Sequence, residues 1–262
     1  IDPAKQEVVD KDGNPVMGEL EIGKPVTPEK GTGTKDDPFV LDGILPPPSP
    51  VPGTGEGDPG KPGTGPGGTG TGSYTNPPTI IAPPAGTSNC YTFTATDDCV
   101  LGLAVSVGNE FEGKLTINGV DAGNIDDREV LLRKGNVVML DIANAGKDDL
   151  VAVNLREPGE GEIWYKAILL DEGTHTIPAI ISSKNVALWY KVVVPDMRNI
   201  SLTTSSIGDM AVFAEDNADS EVEGSMVTAG DEGLEYSHDN TTGSDEPLYF
   251  KVSDMASSCT AT

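Results

Sequence analysis

Oxygen-rich turns are the residues best spaced for chemistry in this chain. Asp126-Asp127, Asp148-Asp149, and Asp216-Asn217 with Asp219 bring carboxylate and amide oxygens together, the donor set that calcium takes. Asp216 and Asp219 are the first candidates, and calcium is the one cofactor that these residues bring into question. The spacing is not that of an EF-hand loop, and Ala218 stands where a third ligand would be needed. Asp and Asn are also ordinary turn formers. His175 and His238 are the two histidines, and neither stands in HExxH or another zinc spacing. There is no GxSxG, and no oxyanion-type glycine motif beside a serine. A Ser-His-Asp triad assembles in space rather than in sequence, but nothing in the order of residues points to one. The expectation is a protein without catalytic activity.

Trp164-Tyr165 and Trp189-Tyr190 offer another chemistry, because aromatic faces stack on sugars. The competing use is core packing, since both pairs fall in stretches that read as strands. Cys90, Cys99 and Cys259 make an odd set, so at least one thiol is unpaired within the chain. No CxxC is present, and Cys90 and Cys99 do not face each other in the hairpin expected around Asp97-Asp98. Cys259 lies in the polar tail SSCTAT, where it could bridge to another subunit.

Composition narrows the partners. The formal net charge of −25 argues against nucleic acid, whose phosphates call for Lys and Arg, and against anionic membrane surfaces. No run approaches the roughly 18 apolar residues of a membrane span. Such acidity keeps a molecule soluble and discourages self-adhesion.

The elements that would position these residues are strands on either side of a linker. Pro46 to Ser73 holds 18 Gly or Pro among 28 residues and no apolar side chain larger than Val51. It cannot bury enough surface to fold alone, and it lacks the GxxxxGK[ST] of a phosphate loop. Residues 1–45 read as an extended N-terminal anchor, with a hairpin signal across Glu7 to Met17. Within the anchor, Phe39-Val40-Leu41 is a short apolar strand, introduced by a turn at Asp36-Asp37-Pro38. It is expected to add to a sheet of its own chain or of a neighbour. Residues 46–78 are the tether. From Thr79 onward short strands with period-2 alternation follow one another, separated by Gly, Asn and Asp, and no convincing helical period interrupts them.

The strand region repeats. Tyr91, Phe93, Ala95, Asp97, Leu101 and Leu103 match Tyr190, Val192, Val194, Asp196, Ile200 and Leu202 at a constant offset of 99. Thr79-Ile80 resembles Thr176-Ile177, Lys114 to Asn118 resembles Ala211 to Glu215, and Pro247 to Val252 corresponds to Val137 to Ile142. A shorter echo sets Ile163-Trp-Tyr-Lys against Leu188-Trp-Tyr-Lys, both read as strands. The division expected is a β-sandwich module over 79–158 and a second over 159–262. The fold class is all-β, with two tandem jelly-roll or Ig-like sandwiches.

The pattern Y-x-F-x-A-x-D-D-x-x-L-x-L at 91–103 and W-Y-K-V-V-V-P-D-x-x-x-I-S-L at 189–202 resembles bacterial pre-peptidase C-terminal-type β-sandwich modules. So does the closing strand Pro247-Leu-Tyr-Phe-Lys-Val. Gly33-Thr-Lys-Asp-Asp-Pro-Phe-Val-Leu41 resembles the lead-in of such modules, although here the tether separates it from the module. The resemblance covers about 70 residues and carries no functional residues with it. It implies a non-catalytic accessory role on secreted proteins, cell surfaces or phage particles.

Anchor, tether and acidic heads together point to a structural protein of a large extracellular particle, foremost a phage virion decoration or head-fibre-like component. Its partners would be itself or a capsid or surface lattice. Residues 1–45 would dock, Phe39, Val40 and Leu41 would add a strand to a partner, and Cys259 would cross-link subunits. Deleting residues 1–45 should then abolish particle binding and leave the heads folded. The alternatives are a secreted or cell-surface carbohydrate-binding or adhesin module, and an extracellular filament subunit built by strand donation.

Overall fold

The computed structural model describes residues 28, 30–41, 78–181, 184–206, 208–221, 224–227 and 233–262. The hairpin expected across Glu7 to Met17, the tether apart from Pro78, and most of the expected anchor lie outside these residues.

Among the described residues eighteen strands make up nearly all of the regular structure. The first nine are β1 (Phe39–Val40), β2 (Thr79–Ile81), β3 (Asn89–Thr94), β4 (Cys99–Ser106), β5 (Glu112–Ile117), β6 (Val120–Asn124), β7 (Arg128–Leu132), β8 (Val137–Ala143) and β9 (Leu150–Arg156). The second nine are β10 (Ile168–Leu169), β11 (His175–Ile177), β12 (Leu188–Val194), β13 (Asn199–Thr203), β14 (Gly208–Ala214), β15 (Ser225–Met226), β16 (Glu235–Asp239), β17 (Glu246–Met255) and β18 (Cys259–Ala261). The all-β class read from the sequence is the class observed.

Alternation explains why these segments are strands. In β8, Val138, Leu140 and Ile142 are buried, while the residues between them are not. In β9, Val151, Val153 and Leu155 do the same. Successive side chains point to opposite faces, so a single apolar face is enough to fix each strand in register. The β5–β6 hairpin closes through Asn118 and Gly119, with φ of 52° and 77°. Two left-handed residues in succession give the tight turn that suits a twisted hairpin, and Asn-Gly is the sequence that adopts it readily.

The pairing order of the first nine strands recurs in the second nine. The first set forms a five-stranded sheet, β1-β3-β8-β5-β6, and a four-stranded sheet, β2-β9-β4-β7. Their inner faces meet in one core that includes Tyr91, Leu101, Leu115, Leu140 and Val153. The second set forms the sheet β10-β12-β17-β14-β15 and the pairs β11-β18 and β13-β16. Those pairs are joined by a bridge between Thr204 and Ala261 and by reciprocal bonds between Thr203 and Thr262, both 3.0 Å. Each strand of the first set thus has a counterpart nine places later. The offset of 99 superposes β3 on β12 and β4 on β13. The second core holds Tyr190, Val212, Leu248, Phe250 and Val252.

One sequence reading changes and another becomes definite. Trp164–Lys166 is a single 3-10 turn rather than a strand, so it is no copy of Leu188-Trp-Tyr-Lys. Its apolar ring is used to cover the outer face of the second five-stranded sheet, where Trp164 meets Tyr249 edge-on at 5.7 Å. Phe39–Val40, expected to add to a sheet of its own chain or of a neighbour, takes the first of these places. It pairs in parallel with β3 of its own chain, Phe39 against Tyr91 and Val40 against Thr92, and Leu41 is buried in the first core.

Candidate functional site

Two places gather side chains and backbone in ways that local structure does not require. One is the edge of β3 that receives β1; the other is the charged junction between the two strand sets.

The edge of β3 is a slot with a defined occupant. Leu41 N donates to Thr92 O at 2.9 Å, and Cys90 N donates to Gly33 O at 2.7 Å. Gly33 has φ of 80°, and a Cβ there would lie 2.4 Å from the Phe39 ring, so only glycine lets the lead-in fold back on itself. The Phe39 ring then reaches Tyr91, with centroids 5.4 Å apart. The second set repeats this detail. Leu170 N donates to Lys191 O at 2.8 Å, and Trp189 N donates to Gly161 O at 2.6 Å. Ile168 pairs with Tyr190, as Phe39 does with Tyr91. Gly161 also has φ of 80°, and Ile168 closes over it.

The junction is built around Arg156, the last residue of β9. Its side chain is only 2% exposed. Its Nη2 donates to Glu129 Oε2 at 2.9 Å and to Glu162 Oε1 at 2.7 Å, and its Nε donates to Glu129 Oε1 at 3.2 Å. Burial opposes the charge, yet the hydrogen bonds that Arg156 donates to Glu162 and Glu129 hold it above the usual guanidinium value. Glu129 lies in β7, and its backbone N donates to Lys184 O at 2.8 Å, across to the second set. Arg133 pairs with Asp219, and the Trp164 indole donates to the same carboxylate at 3.1 Å. Beside these contacts lies a groove of about 390 Å³, lined by Arg128, Arg133, Trp189, Glu221 and Lys251 among others. Its charged groups are engaged: Arg128 with Asp126, Arg133 with Asp219, and Lys251 with Glu221.

Asp216 and Asp219, the two calcium candidates, stand within and just after one short helix. Asp216 belongs to the short helix α1 (Glu215–Ala218), and Asp219 is committed to Arg133 and Trp164. Among the described residues no group of three or more His, Cys, Asp or Glu side chains is placed to hold a metal. Asp149 uses its two oxygens on the backbone N of Gly108 and Gly146, at 2.8 and 2.7 Å, which is turn chemistry.

Nor do the aromatic pairs offer a flat platform. Trp189 and Tyr190 are buried, and Trp164 stands nearly perpendicular to both Tyr165 and Tyr249. His175 faces Asp171 O at 2.7 Å, and His238 faces Glu246 Oε2 at 2.7 Å while stacking on Tyr236. The Tyr190 hydroxyl is buried without a hydrogen-bond partner. Replacing Tyr190 with Phe keeps the ring and removes an unsatisfied group, and should raise stability by about 1–3 kcal/mol in a urea titration.

All three cysteines are free and buried. The expectation that Cys259 reaches another subunit meets a plain obstacle: it is 5% exposed, and its Sγ points at Met255 Sδ, 3.8 Å away. Burial, with a smaller contribution from the Asp141 hydrogen bond, pushes the Cys90 thiol up to about 11. Burial pushes Cys99 to about 12 and raises Cys259 as well. A thiol that is buried and protonated at neutral pH is a poor nucleophile. Ellman's reagent at pH 8 should therefore find no thiol within minutes in the native protein and all three in 6 M guanidinium. Rapid reaction of one thiol in the native protein would show that a cysteine is accessible after all.

The Arg156 cluster was missed in the sequence. Arg156 follows an apolar strand and precedes Glu157, Glu160 and Glu162, which in so acidic a chain is no signal by itself.

No family model matches the chain, and no curated protein does. Among the solved structures that match is dimeric latent PorU from Porphyromonas gingivalis, at 12% identity and a TM-score of 0.18. That match covers 66% of this chain and 19% of the PorU chain, so the chain spans about a fifth of its length.

Proposed function

We propose that this chain is a non-catalytic structural protein of a large extracellular particle, with a phage virion decoration or head-fibre-like component as the leading case. The observation that carries the reading is the repeated nine-strand plan with its interlocked junction. Aromatic rings, thiols and the Arg156 cluster are used in packing and in holding the two strand sets to each other. In this reading residues 79–158 and 159–262, together with the lead-in that ends at Leu41, form the heads, and the Pro/Gly-rich stretch connects the lead-in to the rest of the first head. The net charge of −25 keeps neighbouring copies from adhering indiscriminately.

The test is localisation in the source culture. Immunogold electron microscopy with an antiserum to the purified chain should decorate the outside of particles or cell envelopes. Label confined to the cell interior would overturn the proposal.

A further inference from the structure

We propose that the lead-in strand, residues 30–41, is exchangeable between copies, so that the β3 edge of one chain accepts the lead-in of a second copy. The slot and its occupant form a matched pair. Tyr91 and Thr92 supply the register, Leu41 fills the core, and the Phe39 ring closes over Gly33 and against Tyr91. Neither the slot nor the strand carries anything that specifies which copy the strand comes from.

What differs between the two strand sets is the connection. In the second set only residues 170–174 separate β10 from β11, so β10 is bound to its own sheet. In the first set residues 41–78 separate β1 from β2. At no more than about 3.3–3.6 Å per residue, a connector of that length lets the lead-in reach the slot of a neighbouring copy. It presents its end to the chain's own slot at an effective concentration of about a millimolar. A neighbour's lead-in at that local concentration therefore competes evenly. Exchange preserves every contact of the slot, so its cost lies in the connector alone. In dilute solution the chain closes on itself. In a crowded array neighbouring copies become linked, which goes beyond the particle reading and does not depend on it.

The test uses the full chain, unfolded and refolded at about 1 µM and at about 1 mM, then analysed at once by light scattering on a sizing column. A variant lacking residues 46–73 is treated in parallel. Its connector remains longer than the one that suffices between β10 and β11, but its lead-in is held close to its own slot. The full chain should give monomer at the low concentration and a substantial dimer fraction at the high one. The shortened variant should give at least tenfold less dimer. Monomer under all conditions would overturn the proposal, and so would equal dimer from both proteins, which would place the contact elsewhere. Neither overturning result bears on where the antiserum binds.

Discussion

Arg156→Ala is expected to lower stability by about 3–5 kcal/mol, the loss typical of breaking one side of a buried ion pair. Glu162 is 4% exposed, and it would be left without the guanidinium that balances it. Arg156→Lys keeps the charge but loses the fork that reaches Glu129 and Glu162 together, and should recover only part of the loss. Arg156→Met with Glu162→Leu removes the pair as a unit and should cost much less than either single change. Urea unfolding followed by tryptophan fluorescence reads the effect directly, because Trp164 and Trp189 both lie close to the junction. If Arg156→Ala unfolds with an unchanged midpoint, the cluster contributes nothing to holding the two strand sets.

Removing residues 1–41 is expected to destabilise the first strand set by about 3–5 kcal/mol. Leu41 is fully buried, worth about 1.5–3 kcal/mol, and the half-buried Phe39 ring and the lost backbone pairing with β3 add to it. Their loss also uncovers Tyr91, which is 3% exposed in the intact chain. This reverses the expectation that deleting residues 1–45 leaves the heads folded. The segment ending at Leu41 is part of the first sandwich, so its deletion is a fold defect before it is a binding defect. Leu41→Ala alone should cost about 2–5 kcal/mol. Full stability after the 1–41 deletion would show that the lead-in is dispensable.

Alternation made the strands legible, because one buried face imposes a period of two on Val138, Leu140 and Ile142. The repeat was legible for the same reason: equivalent core positions demand similar side chains, so Tyr91 and Tyr190 survive at an offset of 99. The place of Phe39-Val40-Leu41 was not, since its partner lies some 50 residues away across a stretch that carries no pattern. The two Trp-Tyr-Lys stretches were misread as equivalent. One turns and the other extends because Gly161 N donates to Lys166 O and closes the first into a loop, a tertiary matter that three side chains do not encode. The Arg156 cluster joins residues 129, 156 and 162 from a strand, a strand end and a loop, and only the fold brings them together.

The parallel lead-in strand also has a mechanical meaning. Among the described strands β1 is the first that a pull from the N-terminal side reaches, and it is held through two register pairs, the backbone bonds that flank them and the side chains around them. When those contacts give way, residues 41–78 join the loaded path, and at about 3.3–3.6 Å per residue they lengthen it by on the order of 100 Å. The rest of the first sandwich bears no added load until that length is drawn out. A tug that would otherwise start to tear the sheets is spent on extending chain, and the strand can re-enter its slot when the tension falls.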